Sequence, residues 1–365
     1  MQKYNDNNHS TYKGKNLSVE IYGASHATKI GVKIKGLKKG ATFDKQKLNA
    51  FMERRKAKNA IYSTTRGEQD EIVYVKGEKN GTISGKTFIA EIYNKTMRSK
   101  DYGESLVLPR PSHADYVGYV KYGDKFDFRG GGKFSGRLTA PMCIAGGVLG
   151  QLLKEKGITA HAYIKSIGSV VGKGYQDIDI ENFDFSKLDD SFPLLDDGVK
   201  EDMLREIAKC KADNDSVGGV IECVILGVRA GVGEFMFDSI ESVISRLAFG
   251  VPAVKGIEFG LGFGFSKTNG SAVNDAFYYD ENGNVKTRTN NNGGINGGIS
   301  NGNPITFRVV IKPTPSIAKE QDTINLKTKQ NDKIKIIGRH DSCVAVRAVP
   351  VIESIANIAL YDLTK

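Results

Sequence analysis

The most informative part of this 365-residue chain is residues 109–139, where groups suited to acid–base and anion chemistry lie close together. His113 follows Arg110 in a proline-marked turn, and three consecutive glycines at 130–132 precede an apolar helical pattern. Glycines let backbone amides approach a ligand closely, and a helix N-terminus presents unpaired N–H groups to an anion. The segment therefore predicts a bound phosphate or similar anion beside a group that carries a proton.

Two other turns have similar chemistry, one around His26 and one at residues 339–341, which read Arg-His-Asp. Histidine exchanges protons near neutral pH, and arginine binds carboxylate or phosphate through paired hydrogen bonds. A single histidine in a turn is more often a surface or capping residue. Three histidines, each in a turn beside Ser, Asp or Arg, favour a shared site. The set fits loss or binding of a phosphate, and by itself it fits a nucleotide-binding protein equally well. We interpret His9 as a solvated bystander and His161, at the start of a strand-like run, as a structural residue.

Three segments that could contribute charged groups to this site also have purely structural interpretations. The basic run at 54–66 could be the exposed end of a helix, since most charge runs are solvated faces. Residues 312–316 could form a rigid turn after a strand, and residues 339–341 could form a surface ion pair of little energetic value.

Short strand-like runs and longer helical patterns must position these turns. Strands are predicted at 17–22, 31–34, 71–75, 88–93, 220–228, 256–259 and 306–311. Helices are predicted at 139–154, 200–211, 238–249 and 347–361. Asp238 is the expected cap of the third helix, and Pro350 is expected in the first turn of the fourth. The mixture indicates an α+β fold with antiparallel sheets, because neither dinucleotide-binding nor P-loop glycine patterns occur in the context they require.

Composition limits the possible classes of protein. The chain is 39% hydrophobic and 26% charged, with a net charge of +10, and its lysines are spread rather than forming a tail. No apolar run approaches the roughly 18 residues of a membrane span, and the N-terminus lacks a signal core, so a cytoplasmic location is expected. Cys143, Cys210, Cys223 and Cys343 are far apart and form no CxxC pair, which argues against a zinc or disulfide framework.

Five groups of residues form a set that is far more specific than any one of them. They are Gly23-Ala24-Ser25-His26-Ala27 with Ile30-Gly31-Val32; Arg110-Pro111-Ser112-His113-Ala114-Asp115 with Lys121-Tyr122-Gly123 and 130–139; 293–302; Lys312-Pro313-Thr314; and 339–343 with Arg347-Ala348-Val349-Pro350. This set resembles the motifs of the chorismate synthase family, and the resemblance covers about residues 18–362.

The resemblance implies a phosphate lyase. Such an enzyme removes phosphate and a ring proton from 5-enolpyruvylshikimate-3-phosphate in a 1,4-elimination, giving chorismate, the last common step of the shikimate pathway to aromatic amino acids. It needs reduced FMN, which is thought to lend electron density transiently and to accept the ring proton, and here an external reductant would supply it. The implied fold is a sandwich of antiparallel β-sheets enclosing long helices, usually as a homotetramer. A single domain over 1–365 is expected, with 1–17 as a poorly structured extension.

The resemblance also implies roles for individual residues. His26 would protonate the leaving phosphate, His113 would sit near the flavin, and Asp341 would relay a proton with Ser25 and Ser135. The residues implied to bind FMN are Lys133, Phe134, Ser135, Pro252, Ala253, Gly297, Lys312, Pro313, Thr314, Pro315, Ser316 and Arg339. The residues implied to bind substrate are Arg55, Arg137 and Arg110. No metal is implied.

The chain departs from the family pattern at several positions. Ala24 stands where Glu is usual, and Ala27 where Gly is usual. Ile61 replaces a common basic residue, Leu138 a common Glu, and Ser342 a Pro. The loss of the carboxylate at Ala24 is expected to lower the pKa of the neighbouring histidine. These changes keep open a non-catalytic or altered relative that binds flavin or another anion. A nucleic-acid-binding protein is a more distant alternative, and neither nucleic acid nor a membrane is an expected partner.

Overall fold

The computed structural model describes residues 9–58, 60–63, 69–94, 107–123, 127, 129–180, 182–188, 190–336 and 340–365. Within these ranges the helices are α1 Lys45–Glu53, α2 Asp115–Tyr122, α3 Thr139–Lys154, α4 Lys200–Ala212, α5 Ile240–Ala248, α6 Gly270–Val273 and α7 Ala345–Leu363. The strands of the first half are β1 His9–Lys13, β2 Ser18–Gly23, β3 Lys29–Lys35, β4 Val73–Lys76, β5 Glu78–Lys79, β6 Thr82–Ile83, β7 Thr87–Tyr93, β8 Thr159–Ile167 and β9 Val170–Val171. Those of the second half are β10 Gly219–Leu226, β11 Val254–Phe259, β12 Phe277–Tyr279, β13 Val285–Thr287, β14 Ile295–Asn296, β15 Ile299–Ser300, β16 Ile305–Ile311, β17 Gln321–Asn325 and β18 Gln330–Ile334.

The first large sheet has the order β1-β2-β3-β7-β4, and its paired strands are antiparallel. Alternating residues of β3 are fully buried: Ile30, Val32 and Ile34 each have 0% exposure. Since side chains of a strand alternate between faces, this places one apolar face against a partner layer. That layer is α3, which contacts β2, β3 and β7.

The second large sheet has the order β11-β16-β10-β8-β9 and is also antiparallel. Helix α7 contacts β8 and β10 of this sheet, and on its other side it contacts α3. The two helices approach closely because α3 has glycines at the contact. A Cβ on Gly146 would lie 2.2 Å from the Cβ of Ser354, and one on Gly150 would lie 2.6 Å from Asn357 Nδ2. The small residues of α3 therefore set the spacing of the central helices.

The predicted α+β class is confirmed, and each predicted strand and helix overlaps an observed element. Two details differ. The cap of α5 is Ser239, whose hydroxyl accepts a hydrogen bond from Ser242 N at 3.0 Å, and not Asp238. Pro350 lies inside α7 because that helix begins two residues earlier than predicted, at Ala345. No helix in the described ranges is long and apolar enough to cross a membrane.

Within the predicted N-terminal extension, residues 9–17 form β1 and the turn that follows it, and residues 1–8 lie outside the described residues. Strand β1 pairs with β2, and the turn between them closes on the buried carboxylate of Asp362 at the end of α7. The backbone N–H groups of Lys15, Asn16 and Leu17 donate to this carboxylate at 2.6–3.1 Å, and the Tyr12 hydroxyl donates at 2.8 Å. One acidic side chain thus joins the two ends of the described chain.

Replacing Asp362 with alanine is expected to lower the free energy of unfolding by roughly 2–4 kcal/mol, because buried N–H donors would lose their acceptor. Denaturant unfolding of the two proteins measures this difference. Asp322→Ala, at an exposed position of β17, is the control and is expected to change stability by less than about 0.5 kcal/mol. Equal unfolding midpoints for Asp362→Ala and the unmodified protein would show that the turn is held by other contacts.

Candidate active site

The glycine loop before α3 contacts two of the candidate histidines. Its three consecutive glycines all have positive φ, a conformation that residues with a Cβ rarely adopt. A Cβ on Gly130 would lie 2.5 Å from Ser25 Oγ and 2.7 Å from His26 Cε1. A Cβ on Gly131 would lie 3.3 Å from His113 Nε2. Adjacent glycines therefore let His26 and His113 approach the same short piece of backbone.

The turn that carries His26 connects β2 and β3 and is buried. Ser25 N donates to the carbonyl of Gly132 at 3.0 Å, which ties this turn to the glycine loop. Asn94, just after β7, donates through Nδ2 to the carbonyl of Ala27 at 2.7 Å. The turn of His26 is thus held by contacts from two other parts of the chain.

His113 is oriented by a buried carboxylate, Asp115. His113 Nδ1 lies 2.7 Å from Asp115 Oδ1, and Arg110 donates to the same carboxylate through Nε at 2.7 Å and Nη2 at 2.8 Å. Burial alone would raise the pKa of Asp115, but the hydrogen bonds from Arg110 and His113 hold it well below its usual range. Because an ionised carboxylate only accepts, His113 Nδ1 carries a proton and Nε2 is the atom that faces the glycine loop.

The segment of residues 312–316, which follows β16, lies along the turn of His113. Lys312 Nζ donates to the carbonyl of Ser112 at 3.0 Å, and Arg110 Nη1 donates to Ser316 Oγ at 2.9 Å. The backbone N–H of Lys312 also donates to the carbonyl of Ala253 at 2.9 Å. The structure therefore brings together the predicted FMN residues of this segment, the loop after α5 and His113.

Lys312 is a cation in a partly buried setting. Burial, and then the nearby charge of Lys255, lower the pKa of Lys312. The hydroxyl of Thr314 is buried and has no hydrogen-bond partner among the described residues. A buried hydroxyl without a partner is costly in a protein interior, so this atom is suited to a ligand.

Asp341 lies in the turn before α7, where Arg347 of that helix holds it. Arg347 Nη1 donates to Asp341 Oδ2 at 2.8 Å, and Arg347 Nε donates to the carbonyl of Arg55 at 3.1 Å. This pair links Asp341 to the region of the substrate-binding candidates. Arg339, predicted to bind FMN, lies outside the described residues.

His340 is a third histidine in this region. Burial, followed by the charge of Arg110, lowers the pKa of His340 to about 4; Asp341 opposes this and His113 adds to it. His340 is therefore neutral at pH 7. No role was predicted for His340 from the sequence, although Arg339 and Asp341 on either side of it were predicted site residues.

Arg55 and Arg137 share one buried carboxylate, Asp70. Arg55 Nη1 donates to Asp70 Oδ2 at 3.1 Å, and Arg137 Nη1 bonds the other oxygen, Oδ1. Arg55 also donates through Nε to Thr139 Oγ1 at 2.9 Å, and Arg137 through Nε to Asn94 Oδ1 at 3.1 Å. Two predicted substrate-binding arginines are thereby fixed side by side.

The other predicted FMN residues fall into two places. Lys133 Nζ lies 3.4 Å from the ring centroid of Tyr122, and the ring of Phe134 lies 6.5 Å from that same ring. Ser135 Oγ accepts a hydrogen bond from Arg137 N at 3.3 Å. Gly297 is exposed in the turn between β14 and β15, and no described contact connects it with the glycine loop.

A carboxylate lies near His26 although Ala24 lacks one. Hydrogen bonds from Arg129 are the main cause that lowers the pKa of Asp127, and the charge of His26 contributes in the same direction. Asp127 is thus close enough to His26 for their charges to interact. At two other departures, the Ser342 hydroxyl donates to the carbonyl of Ile61 at 2.9 Å, and the Ile61 side chain is 36% exposed.

The positioning residues of this region were missed from the sequence. Asp115 had a signal, since it lies two residues after His113 in the same motif. No sequence signal marked Asp70 or Asn94, because each accepts hydrogen bonds from residues that are distant in sequence. In the described part of the chain, no group of three or more His, Cys, Asp or Glu side chains could hold a metal ion.

Comparison with known proteins identifies the family to which this chain belongs. The model of the family described as chorismate synthase matches residues 17–364. The chain belongs to the chorismate synthase family. The chorismate synthase of Lachnoclostridium phytofermentans is 42% identical over 351 residues, covering 96% of this chain and 94% of the relative. That of Dehalococcoides mccartyi is 39% identical over 350 residues, covering 96% and 95%.

The fold of the chorismate synthase family is supported separately. A solved crystal structure of chorismate synthase superposes with a TM-score of 0.72 and covers 96% of this chain and 92% of that chain. Its sequence identity is 24%, so this likeness concerns the fold alone. Membership in the family extends over nearly all of the chain, including every motif described above.

Proposed function

We propose that this chain is a chorismate synthase, which converts 5-enolpyruvylshikimate-3-phosphate to chorismate and phosphate. One observation carries the proposal: His26 and His113 approach adjacent glycines of a single loop. A 1,4-elimination needs a group that protonates the leaving phosphate oxygen and others that handle the ring proton. Two histidines from different turns that lie against one loop, with a carboxylate at Asp341, fit that need. The packing of α3 on the first sheet, of α3 on α7, and of α7 on the second sheet supports the sandwich that the resemblance implies.

The residues at 312–316 suit a flavin phosphate. Lys312 provides a cation, Thr314 has a buried hydroxyl without a partner among the described residues, and Ala253 lies against the same segment. We propose that this segment, with the loop of Lys133 and Ser135, holds reduced FMN. When bound, reduced FMN supplies transient electron density to the substrate.

The chain's own residues have distinct tasks in this proposal. His26 protonates the phosphate oxygen as the bond to the ring carbon breaks. His113 holds a proton on Nδ1 against Asp115, which presents Nε2 to the site. Asp341, held by Arg347, accepts and passes on a proton, and Arg55 with Arg137 binds anionic groups of the substrate.

Anaerobic turnover tests the proposed function. The protein is mixed with 5-enolpyruvylshikimate-3-phosphate and dithionite-reduced FMN, and chorismate and phosphate are followed together. Equal amounts of both products, formed only with reduced flavin, are expected; oxidised FMN is the control. Substrate binding without product would instead indicate the non-catalytic or altered relative.

We also infer that the protein is a homotetramer. The resemblance implies this state, and several exposed apolar side chains support self-association, among them Phe235, Met236 and Phe237 at 64%, 70% and 89% exposure. Light scattering after size exclusion is expected to give about four times the 39.8 kDa of one chain. A mass of one chain would contradict the tetramer. The cytoplasmic location, the single domain and the external reductant stay predictions.

A further inference from the structure

Asp70 has an unusual position between two arginines that come from different parts of the chain. Its side chain is 0% exposed, and those of Arg55 and Arg137 are 4% and 9% exposed. Each carboxylate oxygen accepts from one guanidinium. Because the two oxygens belong to one rigid planar group, Asp70 determines how far apart and at what angle the two guanidinium groups lie.

The same contacts continue to the turn of His26. Arg137 Nε donates to Asn94 Oδ1 at 3.1 Å, and Asn94 Nδ2 donates to the carbonyl of Ala27 at 2.7 Å. The two ends of the Asn94 amide have different partners, so its orientation is determined. A continuous chain of hydrogen bonds thus runs from Asp70 through one arginine to the residue next to His26.

We propose that Asp70 is a positioning residue that holds Arg55 and Arg137 in the arrangement that binds the anionic groups of the substrate. This inference rests on the proposed function. Asp70 itself accepts from the arginines and does not touch the substrate. Its task is to keep two cations aligned with each other and, through Asn94, with His26.

Two physical roles can be separated for a carboxylate between arginines. If Asp70 only neutralised positive charge, its removal would strengthen the attraction for a polyanionic substrate. If it positions the arginines, its removal would weaken binding, because misplaced cations lose their paired hydrogen bonds. The hydrogen bonds to both oxygens favour positioning, since each arginine donates to a different one of them.

The test is the variant Asp70→Asn, which keeps the shape but replaces one accepting oxygen by an NH₂ group. We expect the dissociation constant of 5-enolpyruvylshikimate-3-phosphate, measured by calorimetry, to rise about 10–100-fold. The KM is expected to rise with it, whereas the affinity for FMN, measured by flavin titration, is expected to stay unchanged. Substrate affinity that is unchanged or increased would overturn the proposal.

Glu353→Gln is the matched control. Glu353 forms a comparably buried pair with Arg54, through bonds of 3.1 and 2.9 Å, with side-chain exposures of 11% and 17%. We expect this variant to lose stability, as Asp70→Asn does, but to keep the substrate affinity of the unmodified protein. Equal loss of affinity in both variants would show that Asp70 acts only through general stability.

Asp70→Glu keeps the test decisive if the asparagine variant does not fold. Glutamate retains the charge but is one methylene longer, so it shifts both guanidinium groups, and weaker substrate binding is again expected. Full affinity of Asp70→Glu would contradict positioning. Failure of the proposed function is a separate result: the unmodified protein would bind the phosphate ester without turnover, and the binding comparison would still decide the role of Asp70.

Discussion

Replacing His113 with alanine is expected to lower kcat by about two to four orders of magnitude while the protein keeps its fold and its affinity for FMN. The imidazole is held at Nδ1 by Asp115, and its Nε2 faces the glycine loop. Removing it takes away a proton carrier that is already oriented. The buried pair of Arg110 and Asp115 remains, so little loss of stability is expected.

The measurement is anaerobic turnover together with titration by oxidised FMN. His161→Ala is the matched control, because this ring packs away from the glycine loop, stacked on Phe185 at a centroid distance of 4.2 Å. The control is expected to keep its kcat. If His113→Ala turned over substrate at the normal rate, the imidazole would have no part in the reaction.

Replacing His26 with alanine is expected to reduce kcat by a similar factor, about 10²–10⁴, but with a different dependence on pH. Without the imidazole as an acid, the phosphate group must already carry a proton when it leaves the ring. The second ionisation of a phosphate ester has a pKa of about 6, so the residual rate should increase as the pH falls through that value. The rate–pH profile of the variant, compared with that of the unmodified protein, measures this.

His9→Ala is a suitable control for this variant, since His9 is exposed in β1 and outside the site. It is expected to keep both the rate and the profile. A residual rate in His26→Ala that does not respond to pH between about 5 and 7 would argue that the phosphate oxygen is protonated by another group.

Much of the fold could be predicted from the sequence, because strands and long helices have local patterns. The alternation in β3 and the apolar run of α3 predicted these elements at nearly their observed positions. Helices α1, α2 and α6 were missed, since each is short, and α2 exposes Tyr116, Val117 and Val120, so no apolar stripe marks its buried face. Helix ends were predicted less accurately, as Ser239 and Pro350 show, because neighbouring residues compete for the same cap or turn.

By itself, the sequence determined the family and the residues whose side chains can transfer protons or bind anions. It also determined the glycines that allow those side chains to lie close to the backbone. His26, His113 and Asp341 could be named because their motifs are local in the chain. Only the tertiary structure decided which groups hold Arg55, Arg137 and the turn of His26 in place: Asp70 and Asn94. The physical reason is that a buried charge needs a partner, and that partner is set by how distant segments pack, which no local pattern specifies.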